Sequence, residues 1–340
     1  GTGMSATKTA LVITSIAAPN AVLRAFAEGC REHGYSFTLI GDRSSPADFR
    51  LEGCDFWGLD RQRTMPFALA QLLPERHYGR KNLGYLQAMH SGAEVIVESD
   101  DDNFPRDAFW GARTREHTTA SFQGSGWVNL YRYFSEAHIW PRGFPLEHLQ
   151  DAVSSLPGLS STDCPIQQGL ADENPDVDAI YRLIGKLPAD FIQREHPVSL
   201  GKGALCPFNS QTTTWFREAF QLLYLPSYCS FRMTDIWRSY VAVRICWEND
   251  WDVLFHNATV WQERNAHDLM KDFGDEIIGY RNNKAICERL KALDLKPGKE
   301  HIGANVIACY KEFIAMGLVG EQEMPLLEAW NADIGVFLDR

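Results

Sequence analysis

The first hundred residues alternate between short apolar runs and stretches with helical spacing. Three apolar runs predict buried strands at 10–16, 36–40 and 93–97. Three stretches with apolar residues at turn spacing predict helices at 20–34, 65–73 and 81–90. This alternation predicts an α/β fold with a mostly parallel sheet that helices cover on both faces. Ligands of such sheets bind beyond the carboxyl ends of the strands, where Asp42 and Asp100 are expected.

The rest of the chain has a different pattern. Prolines recur between 140 and 210, at positions 141, 145, 157, 165, 175, 188, 197 and 207. They predict a long loop-rich region, and long loops in enzymes usually shape binding sites. Helical patterns then return at 235–247, 265–273, 283–295 and 305–316.

Composition narrows the range of partners. The 340 residues are 45% hydrophobic, and 33 basic against 44 acidic residues give a net charge of −11. This excess of acid disfavours a nucleic-acid partner. We see no apolar run long enough to span a bilayer, so we predict no transmembrane segment in this chain. The eight cysteines lack CxxC spacing, which predicts reduced thiols in a cytoplasmic protein. The helices predicted after residue 283 could contact a membrane surface or a second subunit.

An acidic segment at 98–103 (ESDDDN) follows the third predicted strand directly. Its carboxylates repel one another unless a divalent cation lies among them. Asp100 and Asp102 are therefore candidate ligands of Mn²⁺ or Mg²⁺, with substrate phosphate oxygens completing the shell. The alternative is a solvated acidic turn that caps the helix after Pro105.

Two helix starts carry further candidates. Arg80, Lys81 and Asn82 open the predicted helix before the acidic segment, where backbone N–H groups and basic side chains suit an anion. The alternative is ordinary solvated charge. Asp235, preceded by Thr234, opens a later helix. It is either a helix cap or a base that accepts a proton from a hydroxyl group, and both roles can coexist.

Weaker candidates lie in the second half of the chain. Asn209 and Gln211, in a polar run before Trp215, and Arg232 are candidate sugar contacts. His256, and His267 within the polar stretch 262–268, are candidate metal or phosphate ligands. For each of these, a surface turn or a structural histidine is the alternative. No glycine-rich loop follows the first strand, which disfavours a dinucleotide-binding site.

The segments at 80–88 (RKNLGYLQA), 92–93 and 98–103 together resemble the GT-A nucleotide-sugar core, and more narrowly the STELLO-like glycosyltransferases. Stretches at 41–43, 139–146, 232–240 and 262–273 extend the resemblance over roughly residues 10–280. It implies a GT-A (Rossmann-like) fold with a loop-rich acceptor region and C-terminal helices. The plant members of the family carry membrane-anchored regions that are missing from this sequence.

The resemblance also implies roles. Asp42 would lie near the base or ribose, and Arg80, Lys81, Asn82, Asp100 and Asp101 beside the nucleotide sugar. Asp100 and Asp102 would hold the metal, with His256 or His267 completing its shell. Asp235 would be the catalytic base.

We therefore predict four segments: a tag remnant at 1–3, a nucleotide-sugar-binding half at 4–135, an acceptor and catalytic half at 136–280, and a helical extension at 281–340. The predicted function is metal-dependent transfer of a sugar from a nucleoside-diphosphate donor, a UDP-sugar, to a hydroxyl group of a glycan or another acceptor. A nucleotide-sugar mutase and a non-catalytic nucleotide-sugar-binding scaffold are the alternatives. The sugar, the acceptor, the stereochemical course and the oligomeric state stay open.

Overall fold

The computed structural model describes residues 8–263 and 266–338. The predicted tag remnant at 1–3, and Arg264 and Asn265 of the polar stretch, lie outside the described residues. The strands are β1 (Thr9–Thr14), β2 (Ser36–Ile40), β3 (Asp55–Trp57), β4 (Val95–Ser99), β5 (Asn103–Pro105), β6 (Glu116–Phe122), β7 (Gly126–Trp127), β8 (Leu159–Asp163), β9 (Ile166–Asp172), β10 (Val198–Leu200), β11 (Ala204–Leu205), β12 (Thr212–Phe216) and β13 (Val253–Gln262). The helices are α1 (Ala21–His33), α2 (Leu59–Gln62), α3 (Lys81–His90), α4 (Ala179–Ile184), α5 (Thr234–Glu248), α6 (Leu269–Lys291), α7 (Ile302–Ala315) and α8 (Glu323–Leu338).

One large mixed sheet organises the molecule. Its strands follow the order β3-β2-β1-β4-β12-β9-β13-β10-β6-β8, and β5 pairs with β13. The first four strands in this order are all parallel, whereas β12 runs antiparallel to both of its neighbours, β4 and β9. Two antiparallel steps, from β4 to β12 and from β12 to β9, give β9 the same direction as β4. The longest strand, β13, is parallel to β9 and therefore also runs in that direction. The predicted α/β class with a Rossmann-like, mostly parallel sheet is confirmed.

The two faces of the sheet are visible in β1. Leu11 and Ile13 pack with the buried side of α1 on one face, and Ala10 and Val12 belong to the core beneath α3 and α5 on the other. The Asn20 side chain caps α1 by accepting a hydrogen bond from a backbone N–H (2.8 Å). These N-terminal elements form where apolar periodicity places them, since each one buries a regular apolar face.

Three helix predictions need correction. The stretch 65–73 forms only a 3₁₀ turn, Ala68–Gln71, because Pro66 and Pro74 bracket it. The helices predicted at 265–273 and 283–295 are parts of one continuous helix, α6, since no proline interrupts the chain between them. α8 lies within the helical extension predicted at 281–340, but its bounds were not predicted; its proline lies in the first turn, where a helix tolerates it.

The loop-rich prediction for 140–210 holds in part. The region contains β8, β9, β10, β11 and α4, and prolines lie in most of the connections between them. Every residue of β9 is buried, so this region contributes to the sheet as well as to loops. Among the described helices, none is both long and apolar enough to cross a membrane.

α3 approaches the sheet closely because Gly84 has no side chain. A Cβ atom at Gly84 would lie 2.5 Å from Val12 Cγ1 and 2.9 Å from Ile40 Cγ1, both on fully buried strand side chains. α3 carries Lys81 on its first turn and leads into β4. The distance between α3 and the sheet therefore also affects the position of the acidic segment.

Gly84→Ala should destabilise the protein by about 1–3 kcal/mol, because α3 or the strand side chains must shift to admit a methyl group. The matched control is Gly274→Ala in α6, where the new methyl group meets no atom within 4 Å. That change should stabilise by about 0.5–1 kcal/mol through reduced backbone entropy in the unfolded chain. Urea unfolding measures both. Equal effects of the two substitutions would contradict a close helix–sheet approach at Gly84.

Candidate functional site

A cavity of about 590 Å³ opens at the carboxyl ends of β1, β2 and β4 and the start of α5. Six of the predicted site residues line it: Asp42, Asp100, Asp101, Asp102, Arg232 and Asp235. Residues that the sequence did not single out also line it, among them Ile16, Arg76, His77, Tyr78, Arg142, Ser210 and Phe231. Residues more than two hundred positions apart thus form one site.

The three aspartates after β4 are each held by a neighbour. Asp100 Oδ1 accepts a hydrogen bond from the Tyr78 hydroxyl (3.0 Å), and Asp101 Oδ2 accepts one from Ser15 Oγ (2.5 Å). Asp102 Oδ2 accepts one from the side-chain amide of Gln262 (2.5 Å). The turn is therefore fixed by side chains from the loop before α3, from the end of β1 and from β13.

Burial and mutual repulsion dominate the electrostatics of this turn. Burial raises the pKa of Asp100 to about 8, and the charges of Asp102 and Asp101 add to the rise while Lys81 opposes it. Burial and the charge of Asp101 raise the pKa of Asp102 to about 6. Two carboxylates that repel each other in this way are stabilised in their charged form by a nearby cation.

The donor set suits Mg²⁺ or Mn²⁺, which prefer carboxylate, phosphate and water oxygens. In the part of the chain that the structure describes, no group of three or more His, Cys, Asp or Glu side chains is arranged to hold an ion by itself. A cation between Asp100 and Asp102 would therefore take its remaining ligands from a diphosphate and from water.

Glu98, the first acid of the segment, belongs to the core and not to the cavity. It is fully buried and accepts hydrogen bonds from Lys81 Nζ (3.0 Å), Arg238 Nη2 (2.9 Å), the Tyr85 hydroxyl (2.6 Å) and Trp215 Nε1 (2.7 Å). Burial alone would raise the pKa of Glu98, but the charges of Arg238 and Lys81 outweigh it and hold that pKa below its ordinary value. This cluster ties β4 to α3, α5 and β12 directly beneath the aspartates.

The predicted anion site at the start of α3 is not formed by the three side chains proposed for it. Arg80 donates to Gln62 Oε1 (2.9 and 2.6 Å), and Asn82 exchanges two hydrogen bonds with the backbone of Leu225 (both 2.9 Å). Lys81 is fully buried on Glu98. None of the three lines the cavity, because each faces the interior.

Asp42 lies where the sequence predicted, just beyond the end of β2. Its carboxylate accepts hydrogen bonds from the backbone N–H groups of Arg43 (2.7 Å), Arg76 (2.8 Å) and His77 (2.9 Å). It thereby fixes the loop before α3 against the cavity. The guanidinium group of Arg76 is exposed at the cavity wall and forms no ion pair with any described residue.

Asp235 is the second residue of α5, and its side chain points into the site. α5 begins without a side-chain hydrogen bond to its first turn, so neither Thr234 nor Asp235 acts as its cap. Asp235 instead accepts two hydrogen bonds from Arg142 (3.2 and 3.0 Å). Burial alone would raise the pKa of Asp235, but Arg142 outweighs burial and lowers it, so the carboxylate is ionised at neutral pH.

Arg142 and Tyr78 organise the site, and the sequence did not identify either as a site residue. Arg142 pairs with Asp176 (2.9 and 3.0 Å) as well as with Asp235, and it donates to the backbone carbonyl of Arg232. The Tyr78 hydroxyl lies 3.0 Å from Asp100 Oδ1 and 2.7 Å from Ser210 Oγ, which is 3.4 Å from Asp235 Oδ2. Asp100 and Asp235 are thus joined through two hydroxyl groups.

Asn209 and Gln211 do not line the cavity. The backbone N–H of Asn209 donates to Gln168 Oε1 (2.7 Å), and the Gln211 side chain donates to Gln262 Oε1 (3.2 Å). The residue between them, Ser210, does line the cavity. The predicted polar contact is therefore displaced by one residue, because the Gln211 side chain is directed to Asn103 and Gln262.

The two histidines do not join the aspartates. His256 lines a separate cavity on the sheet, its Nδ1 lies 3.0 Å from the Asn257 carbonyl, and burial lowers its pKa to about 4. His267 lies 3.4 Å from Asp272 Oδ2 and outside the cavity lining, and burial lowers its pKa. Both histidines have structural neighbours and neither completes a metal shell in this arrangement.

The chain is similar to one family of known proteins. A family model described as STELLO glycosyltransferases matches residues 232–337, which include Arg232, Asp235 and helices α5 to α8. The probable glycosyltransferase STELLO2 of Arabidopsis thaliana is 31% identical over 285 residues, which is 74% of this chain and 37% of that protein. The resemblance to the STELLO-like glycosyltransferases that the sequence predicted is confirmed.

Two further comparisons show how much of this STELLO-like chain is shared with other proteins. The probable glycosyltransferase STELLO1 of the same plant is 28% identical over 238 residues, or 63% of this chain and 30% of that protein. The chain thus spans about a third of the length of these curated relatives. A mycobacterial protein of known crystal structure shares 10% identity, with a TM-score of 0.41 over 85% of this chain and 76% of its own.

Glu98→Gln should destabilise the STELLO-like chain by about 3–5 kcal/mol, because it leaves two buried cations facing an uncharged amide. Since the folded pKa of Glu98 lies below its ordinary value of 4.5, its contribution is complete above that pH and is lost as the pH falls. The difference between wild type and variant in urea unfolding should therefore shrink on acidification. Asp60→Asn, at an ion pair whose carboxylate is fully exposed, should change nothing measurable. A pH-independent difference would contradict an ionised Glu98.

Proposed function

We propose that this STELLO-like chain transfers a sugar from a nucleoside-diphosphate donor, a UDP-sugar, to a hydroxyl group of a glycan or a similar acceptor. One observation carries the proposal: the aspartates after β4 and Asp235 at the start of α5 line the same cavity. Its volume of about 590 Å³ suits a nucleotide sugar. The relatives' description as probable glycosyltransferases supports the same reaction class.

The donor occupies the side of the cavity formed by β1, β2 and β4. Asp42 holds the loop that presents Arg76 and His77 to the nucleoside and phosphates. Asp100 and Asp102 would hold Mn²⁺ or Mg²⁺, whose charge would stabilise the diphosphate as it leaves the sugar. Arg76 lacks a carboxylate partner among the described side chains, so its charge is available to the phosphates.

Asp235 accepts the proton of the acceptor hydroxyl group. The bond between the anomeric carbon and the diphosphate breaks, the acceptor oxygen bonds to that carbon, and the hydroxyl proton passes to an Asp235 oxygen. Arg142 keeps Asp235 ionised, which is the form that can accept a proton, and fixes its orientation. A weak base suffices, because the hydroxyl becomes acidic as its oxygen bonds to an oxocarbenium-like carbon.

Calorimetry with UDP, GDP and CDP, each with and without Mn²⁺, tests the donor side. We expect UDP to bind most tightly and only weakly without the metal. If none of the three nucleotides binds, the proposed function is wrong. Incubation with donor alone addresses the mutase, which would yield an isomeric nucleotide sugar without any acceptor. Nucleotide binding with neither transfer nor rearrangement would indicate a binding scaffold.

Asp102→Ala should weaken UDP binding in Mn²⁺ by at least about tenfold, to the level seen without metal, because one carboxylate cannot hold the ion at the diphosphate. Asp107→Asn, at an exposed acid a few residues along the chain, is the matched control and should bind as wild type. Unchanged Mn²⁺-dependent affinity in Asp102→Ala would count against a metal at this turn.

Asp235→Ala should lower the transfer rate by about 10²–10⁴-fold, because the acceptor hydroxyl loses its base. UDP affinity in Mn²⁺ should stay near the wild-type value, since the donor lies on the other side of the cavity. Asp235→Asn retains the shape of the side chain and should be equally inactive. A parallel loss of UDP binding and transfer in both variants would show that Asp235 holds the donor or the fold and is not a base.

A further inference from the structure

Phe231 is an exposed aromatic side chain at the wall of the cavity. Its side chain is 62% exposed, although most other phenylalanines of the chain are buried in the two cores. Of the large exposed apolar side chains among the described residues, only Ile16 and Phe231 line this cavity. An exposed aromatic ring among mostly polar and charged lining residues is typical of a ligand-binding surface.

The backbone that carries Phe231 is firmly fixed. Ser230 Oγ donates to the Asp275 carbonyl (2.8 Å), and Arg232 pairs with the fully buried Glu276 (2.8 Å), so both flanking residues are tied to α6. Met233 is buried in the core. Since its neighbours hold the segment in place, the Phe231 ring is not needed as an anchor and contributes little to the core.

The position of the ring relates it to the reaction that we propose. Phe231 lies perpendicular to the Tyr78 ring, with centroids 6.4 Å apart, and the Tyr78 hydroxyl lies between Asp100 and Ser210. Phe231 precedes Asp235 by four residues, across a short 3₁₀ turn and the start of α5. The ring therefore lies beside Tyr78 and next to the start of α5, which carries Asp235.

We propose that Phe231 is the platform on which the acceptor stacks, and that the acceptor is a sugar ring with a hydroxyl group directed at Asp235. A pyranose has a face of C–H bonds that packs on an aromatic ring, and an edge of hydroxyl groups that needs polar partners. Phe231 supplies the first surface, and Asp235, Ser210 and Arg232 supply the second. This inference rests on the proposed function and names its acceptor class.

The test separates acceptor binding from donor binding. Phe231→Ala, Phe231→Tyr and the control Ile184→Ala, at a 76% exposed residue outside the cavity, are compared with wild type. Calorimetry gives the Kd of UDP with Mn²⁺. Saturation-transfer NMR with methyl α- and β-glycosides of glucose, galactose, mannose and xylose, in the presence of UDP and Mn²⁺, reports acceptor binding without requiring turnover.

We expect Phe231→Ala to bind UDP as wild type and to weaken binding of the best glycoside by about tenfold or more. Phe231→Tyr should restore glycoside binding, and Ile184→Ala should resemble wild type. Loss of UDP affinity in Phe231→Ala would overturn the proposal by making the ring a nucleobase platform. Wild-type binding of UDP but of no glycoside would also overturn it, whereas a wild type that binds no nucleotide would overturn the proposed function itself.

Discussion

The buried ion cluster around Glu98 is the interaction on which the rest of the site depends. One carboxylate on β4 faces two cations, Lys81 of α3 and Arg238 of α5, and none of the three is exposed by more than 1%. Removing these charges from water is costly, so the cluster is stable only while the sheet and both helices hold their positions. The aspartates of the cavity begin two residues after Glu98, so the position of Glu98 also fixes theirs.

The cluster also shapes the charge of the cavity. Two cations against one carboxylate leave positive charge beneath the aspartates, and Lys81 opposes the rise in the pKa of Asp100. Arg142 has the reverse environment, because it is one cation between two carboxylates, Asp176 and Asp235. The acid that binds the donor metal in our proposal is thus crowded by other acids, while the proposed base is paired with a cation. Two aspartates of one cavity acquire opposite pKa shifts from these neighbours.

Much of the N-terminal half could be predicted from the sequence, because β1, β2 and β4 are short apolar runs and α1 and α3 carry apolar residues at turn spacing. The strand-end aspartates followed from that topology. The inward direction of the side chains at the start of α3 could not be predicted. In the sequence, Lys81 has the pattern of a surface charge, and only its contact with Glu98 of β4 shows that it is buried. A sequence pattern cannot distinguish a solvated cation from a buried, paired one.

The other missed residues have partners that are distant in sequence. Arg142 contacts Asp235 across 93 positions, and Tyr78 contacts Ser210 across 132. Arg142 lay within a stretch that resembled the family, but its residue type alone indicated no role. Asp235 was predicted as cap or base, and only the three-dimensional arrangement showed a helix without that cap and a carboxylate held by arginine.

The reversed direction of β12 has a consequence for how this site can change. β12 runs antiparallel to β4 with Thr212 beside Ser99, so the chain enters β12 at the edge where β4 leaves the sheet. The segment ending at Ser210 therefore reaches the cavity at the same edge of the sheet, without interrupting any strand that carries an aspartate. Because this segment belongs to none of the parallel strands, a substitution at Ser210 leaves the register of those strands unchanged. In such an architecture the residues on the acceptor side of the cavity can change in sequence independently of the aspartates on the donor side.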